Sequence, residues 1–473
     1  MQALRGSRQQ RIALPSLFVV AIAVLGVSLM FGFALWVLFL AILVPTAFAV
    51  YQRPQRGVLI FVALLPFDGM LKALGPGWTN PWKQVFIIAI LLLTFLCPPE
   101  ARAQEHRKFP KWAPALGVLL AMGLVSAFTV DVNTALTGLR LSYFSVLLAA
   151  AIWRCPLNRR ERDHLVTIFM IMGAVTAAVG IWQQVVGHAY LHDLGYAYDD
   201  NIRFTSGFTL RSFSTFNLPF SFGFYEMLVI LIGLPMSLAQ PKRLRSKLFF
   251  LSLPLLSVGL LFSFVRGAML GLAIGLLYLA FHRYKILVYG IPIVLVAALF
   301  IPSGANVSNA VFSSTSFGAR TISWQDRIDL FARSPVFGSG IGTTGAAAEK
   351  AAKLNNKDPN STYYPDNSWL KVAFELGVFA LWFLVIMLVM MFLSTRETER
   401  RVSGIDKDFV CAVSATLLAI MASSIVATYL ELVPMDQLFW TMIAIVATMA
   451  PDLAAGPAVS APGTVSQLTP PGT

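Results

Sequence analysis

A chain of 473 residues that is 57% hydrophobic and only 12% charged cannot be a water-soluble globule, because its surface would have to be largely apolar. Its formal charge of +13 sits in short segments between apolar runs, not in a basic, aromatic-interleaved domain, which argues against nucleic acid as a partner. Three cysteines, Cys97, Cys155 and Cys411, are too few and too scattered for a disulfide framework or a zinc site.

Arg5, Arg8 and Arg11 precede a first apolar run that continues into a second, so no cleavable signal peptide is expected. Apolar runs of membrane-crossing length then recur at 14–30, 32–51, 56–73, 80–98, 113–130, 134–153, 164–187, 218–239, 247–264, 267–282, 285–302, 368–394, 408–429 and 434–451. The pattern predicts an all-α, polytopic transmembrane helical bundle of about 12–14 spans, the lower number applying if short runs such as the one holding Asp68 are broken or re-entrant. Residues 1–455 form this membrane domain, and the Pro-, Gly- and Ser-rich stretch 456–473 is expected to be a disordered cytoplasmic tail.

Charge supplies the orientation. With a cytoplasmic N-terminus, the loops bearing Arg53/Arg56, Arg102/Arg107/Lys108/Lys111, Arg154/Arg159/Arg160/Arg162, Lys242/Arg243/Arg245/Lys247, Arg283/Lys285 and Arg396/Arg400/Arg401/Lys407 all fall inside. This positive-inside pattern predicts an even number of spans with both termini cytoplasmic. Two long segments, 188–217 and 303–367, then lie outside. Within the second, 320–334 reads as a short amphipathic helix stopped by Pro335. Gly338, Gly340 and Gly342 form a turn, and 345–354 reads as another short helix. The glycine run lacks the Lys and Ser/Thr of a phosphate-binding P-loop. His188 and His192 lack metal-ligand spacing and read as solvated loop residues.

Ionisable residues inside spans are functional suspects. Away from the cytoplasmic ends they are Asp68, Lys72, Lys83, Arg140, Glu226, Lys371, Glu375 and Asp436, all in the outer half, with Arg266 in an outer turn. One outward-opening polar basin accounts for them, whereas a transporter needs polar lining on both sides. Simpler readings compete: Arg140 and Glu226 pairing with each other, Asp68 capping a helix break beside Gly69, and Lys72, Lys83 and Asp436 snorkelling to the interface. Arg266 opposes the positive-inside trend. Arginine stays charged when partly desolvated and its planar fork matches phosphate oxygens. A lipid diphosphate suits a cavity ringed by Arg266, Arg211, Arg320 and Arg203, with Arg140 and Glu226 as further polar lining.

Four segments carry a family resemblance. They are Arg211-Ser-Phe-Ser-Thr-Phe-Asn217-Leu-Pro219, Ser263-Phe-Val-Arg266-Gly-Ala268, Arg320 to Trp324 with Pro335 to Gly342, and Asp366-Asn367-Ser-Trp-Leu370 with Glu375-Leu-Gly377. Together, over about 200–380, they resemble the O-antigen polymerase and O-antigen ligase superfamily of bacterial inner-membrane glycan enzymes. The chain departs from that pattern at Val265, at Ser214, and at Asp366, where ligases and many polymerases show histidine.

The resemblance implies a glycosyltransferase that takes glycan from an undecaprenyl diphosphate carrier at the periplasmic face. It would polymerise O-antigen or exopolysaccharide repeat units, or act as a ligase onto lipid A core. A lipid-linked-glycan flippase is the alternative from another class. Implied partners are the lipid-linked donor, a glycan or lipid A core acceptor, the bilayer, a chain-length regulator and other polysaccharide-assembly proteins. Neither metal nor cofactor is implied. Diphosphate is a good leaving group, so the enzyme has mainly to stabilise its charge and orient an acceptor hydroxyl. Asp366 is the candidate for orienting or deprotonating that hydroxyl, with Glu375 behind it. The competing reading makes Asp366 the N-cap of the helix that begins near Ser368.

Overall fold

The computed structural model describes residues 50–74, 80–96, 109–198, 201–205, 209–289, 331–332, 334–355 and 367–449. The expected span 14–30, nearly all of 32–51 and residues 290–302 of the expected span 285–302 lie outside these residues, as do the tail and residues 320–330 of the expected helix 320–334. Helix makes up 79% of the described chain. Among the described residues the one sheet is a hairpin of two short strands, β1 Arg203–Phe204 and β2 Leu210–Arg211. The protein is an all-α polytopic membrane protein.

In chain order the helices are α1 Pro54–Leu64, α2 Asp68–Leu74, α3 Trp82–Leu96, α4 Ala113–Ser126, α5 Val132–Tyr143, α6 Val146–Arg154 and α7 Arg159–Asp193. After the hairpin come α8 Pro219–Ala239, α9 Leu244–Phe262, α10 Arg266–His282, α11 Gly345–Leu354, α12 Ser368–Arg401, α13 Gly404–Ser423 and α14 Met435–Thr448. Four of them, α7, α8, α9 and α12, are long and apolar enough to cross a membrane, and α5 with α6 makes a fifth candidate bent by 45°. Helices α3, α4, α10 and α14 are apolar but shorter.

Helix α8 is apolar all round, and nearly every side chain from Pro219 to Ser237 is buried. It therefore forms the centre, packed by α7, α9, α10 and α13. The outer helices show the converse: Phe128, Val185, Leu251 and Phe281 are fully or largely exposed. Apolar belts of this kind suit a hydrocarbon solvent, not water.

Among the described residues several helices are interrupted besides the bend between α5 and α6. Pro66 lies in the 3-10 turn Leu65–Phe67 between α1 and α2 and withholds the amide that a continuous helix would need. Gly187 (φ +77°) breaks α7, and Gly377 (φ +85°) breaks α12. At one end of the bundle, ion pairs join Lys111 to Glu397, Arg162 to Asp406, Arg245 to Asp163 and Arg283 to Asp408. Each of those cations comes from a basic loop that charge alone placed on one side. The opposite end collects the broken helices, the hairpin and a separate set of buried charges.

Candidate functional site

The break in α12 organises that opposite end. In an unbroken helix the carbonyls of Phe374 and Glu375 would accept from the amides four residues on. Here the glycine turn supplies donors instead: Ser339 N–H donates to Phe374 O (2.8 Å) and Gly340 N–H to Glu375 O (2.9 Å), while Val378 N–H donates to Pro335 O (2.9 Å). The approach leaves no room for side chains. A Cβ on Gly377 would sit 2.0 Å from Val336 O, and one on Gly338 would sit 2.4 Å from the Glu375 carbonyl. The glycine run is thus a docking turn moulded on a split helix.

Just beyond the turn, Glu375 Oε1 accepts from Thr344 N–H (2.9 Å), Thr344 Oγ1 (2.8 Å) and Lys371 Nζ (2.5 Å). Lys371 also pairs with Glu431 at 2.9 Å. Side-chain exposure is 5% or less for Lys371 and Glu375 and 8% for Glu431, so one cation is shared by two desolvated carboxylates. Burial pushes the Glu431 carboxyl up, against the pull of Lys371. Nothing singled out Glu431 beforehand, although an acid in the short turn between the last two apolar runs was a usable signal.

A second cluster forms around the break between α1 and α2. Asp68 binds Lys83 at 2.6 Å, Lys72 at 2.8 Å and the Trp82 indole N–H at 3.1 Å. Lys83 does not snorkel; it is 3% exposed, because Asp68 offers it a partner deeper than the interface. Asp436 is also buried and accepts from Ser145 Oγ at 2.5 Å. Asp68 does stand at a helix break, but its carboxylate joins two lysines there. Gly69 lets this break touch the Arg211–Pro219 segment, since a Cβ on it would lie 2.0 Å from the Phe216 backbone. Thr215 closes the contact, with Oγ1 donating to Pro66 O (2.7 Å) and its carbonyl accepting from Met70 N–H (3.0 Å).

Two of the predicted arginines meet in the hairpin, and one of them reaches the turn before the third. Arg203 and Arg211 are direct cross-strand partners in the hairpin, so two like charges stand on one face of it. The Arg211 guanidinium reaches the carbonyls of Ser263 (3.4 Å) and Phe264 (3.5 Å) and stacks over Phe220. Those carbonyls precede Arg266, which is exposed at the first position of α10. Ser212 N–H, donating to Phe262 O at 2.9 Å, pins the hairpin to the same turn.

Other expectations are redistributed. Glu226 is fully buried and accepts from Thr176 Oγ1 at 2.7 Å, so it does not pair with Arg140. Arg140 is exposed on α5, and Lys350 on the packed helix α11 lies close enough to feel its charge. Arg320 and Asp366 lie outside the described residues. The N-cap of α12 is Asn367, whose side chain accepts from Trp369 N–H (2.9 Å) and Leu370 N–H (3.1 Å), so the capping role foreseen for Asp366 is filled by its neighbour. His188 and His192 bond to Tyr198 Oη and the Tyr196 carbonyl. Among the described residues, His282, Glu399 and Cys411 could place three ligand atoms within 4.8 Å of one another. They lie at the other end of the bundle, and Arg396 Nη1 contacts both Glu399 (2.7 Å) and His282, so a cation already occupies that position.

A protein-family model described as O-antigen ligase matches residues 250–385. The match takes in the Arg266 turn, the glycine turn and the split helix; the Arg211–Pro219 segment lies just before it. No curated protein matches the chain significantly.

Proposed function

Residues 250–385 belong to the O-antigen ligase and polymerase superfamily, and on that premise we propose that this membrane enzyme transfers glycan from undecaprenyl diphosphate at the periplasmic face of the inner membrane. The family indicates a glycan ligase or polymerase type of activity. The finer reading is polymerisation of O-antigen or exopolysaccharide repeat units. Its principal support is the hairpin pair Arg203 and Arg211, with Arg211 reaching the carbonyls of the turn that leads into Arg266. Planar guanidinium groups in that array can each grip a diphosphate through two oxygens.

In this mechanism the arginines, with Arg320, hold the carrier diphosphate and take up charge as it departs. The acceptor hydroxyl attacks the anomeric carbon. The bond from that carbon to the diphosphate oxygen breaks, and the diphosphate leaves with the electron pair. The hydroxyl proton passes to Asp366, whose side chain is not needed to cap α12 because Asn367 does so. Glu375, with three hydrogen-bond donors on one oxygen, holds the glycine turn against the split helix and stands in reserve as a base. Arg140 and Glu226 are secondary members of the polar set. The membrane domain over 1–455, with its periplasmic loop at 303–367, presents these groups outward.

A ligase reading is favoured by the description of the matching family, and the aspartate in place of histidine at 366 favours a polymerase. A deletion strain separates them. Single repeat units on the lipopolysaccharide, or loss of long polymer, support the polymerase. Full-length polymer retained on the lipid carrier indicates a ligase, and substrate trapped on the cytoplasmic leaflet indicates a flippase.

A further inference from the structure

Gln183 and Gln184 are adjacent amides on α7, a helix long and apolar enough to cross a membrane. A polar side chain in such a helix needs partners, and both amides find theirs on the segment that carries Arg211. Gln184 Nε2 donates to Leu210 O and to Ser212 Oγ, each at 2.8 Å, and so holds the residues on either side of the arginine. Ser212 Oγ in turn donates to Gly180 O at 2.7 Å. Gln183, 1% exposed, takes the next two residues. Its Oε1 accepts from Phe213 N–H (3.1 Å) and Ser214 N–H (2.7 Å), and its Nε2 donates to Ser214 O (2.8 Å). Ser214 Oγ donates to Thr176 O at 2.6 Å. Thr176, Gly180 and Gln183 are spaced four and three apart, so one side of α7 meets residues 210–214.

The backbone held in this way is strained. Ser214 has φ +55° and Phe264 has φ +53°; among the described residues these are the non-glycine residues in the left-handed region. Both border Arg211. Ser214 follows it by three positions, and Phe264 O accepts from Arg211 Nη2 at 3.5 Å. Glycine takes that conformation freely, whereas other residues keep it only where their surroundings fix it. The N–H, carbonyl and hydroxyl of Ser214 are all bonded to α7, two of the three through Gln183. Without Gln183 the turn is free to relax, and Arg211 moves with it.

We propose that Gln183 and Gln184 are positioning residues that clamp the backbone around Arg211 and so aim its guanidinium at the diphosphate. The grip of Arg211 on diphosphate rests on the function proposed above; the clamp does not.

The test uses the full-length protein in detergent with two measurements: equilibrium dialysis of labelled farnesyl diphosphate, a short-chain lipid diphosphate, and mass-spectrometric detection of trypsin cleavage after Arg211. Wild type should bind the ligand and resist that cut. Gln183→Met and, separately, Gln184→Met keep side-chain length but lose the hydrogen bonds. Each should weaken binding by about tenfold and admit the cut. Gln184 is only partly buried, so Gln184→Met serves if Gln183→Met fails to fold. Combined with Arg211→Ala, either change should weaken binding no further, because the amides act through that arginine. A further loss of about tenfold in the combined variant would overturn the proposal. So would wild-type affinity in both single variants when Arg211→Ala loses binding, an outcome that leaves the diphosphate reading standing. If Arg211→Ala binds as wild type does, the diphosphate reading fails and cleavage decides: a cut after Arg211 in the glutamine variants upholds the clamp, and continued protection overturns it.

Discussion

Replacing Lys371 with Met puts the buried network at the split helix to a direct test. The lysine is the shared cation of Glu375 (2.5 Å) and Glu431 (2.9 Å) and also donates to the Thr344 carbonyl at 3.2 Å. Removing one partner of a buried pair costs about 3–5 kcal/mol, since the remaining charge stays desolvated. Loss of the bond to Thr344 adds about 1 kcal/mol, for a total of about 4–6 kcal/mol. Glu431→Gln should cost far less, because Lys371 keeps Glu375. Combining Glu431→Gln with Lys371→Met should recover about 1–3 kcal/mol, as expected for residues in direct contact. Unfolding in mixed micelles with increasing sodium dodecyl sulfate, followed by tryptophan fluorescence, gives the three values. Wild-type stability in Lys371→Met, or a double variant no more stable than Lys371→Met, would refute the reasoning.

Gly377→Ala forces a side chain into a left-handed backbone 2.0 Å from Val336 O, so it should cost about 1–3 kcal/mol in strain and expose the 334–342 turn to limited proteolysis; an unchanged digestion pattern would contradict the docking described. Arg211→Lys and Arg266→Lys keep the charge but lose the planar fork, so polymer formation should fall severely at normal protein level, whereas wild-type polymer length in Arg266→Ala would remove that residue from the mechanism. Asn367→Ala should destabilise α12 by about 0.5–2 kcal/mol with activity largely kept, and Asp366→Asn should abolish transfer with stability kept; normal polymer from Asp366→Asn means the acceptor is activated elsewhere. A fluorescent protein that matures only in the cytoplasm, fused at Lys357, should be dark, and a bright signal would invert the orientation on which the periplasmic site depends.

Much of this was legible along the chain because it depends on local composition. Apolar length announces helices that must cross a bilayer, with α7, α8, α9 and α12 near their expected positions. The basic loops predict which helix ends lie together, and the pairs Arg162–Asp406 and Arg283–Asp408 lie at such ends. The short run holding Asp68 and the glycine turn carry backbone signals that show in any single sequence. Arg266 stood out as a charge in an outer turn that the positive-inside trend leaves without one.

Partnership was not legible, because a desolvated charge settles on whatever the fold brings within about 3 Å. Lys83 looked free to reach the interface until Asp68 was placed beside it, 15 residues back and across a helix break. Glu226 and Arg140 looked suited to each other, yet one bonds to Thr176 and the other stands on the open side of α5. Glu431 drew no notice until Lys371, 60 residues earlier, was found to hold it together with Glu375. Periodicity and length specify which segments become helices, since those follow from neighbours in the chain. Which charges meet depends on helix packing and on where helices break, and those distances exist only once the chain is folded.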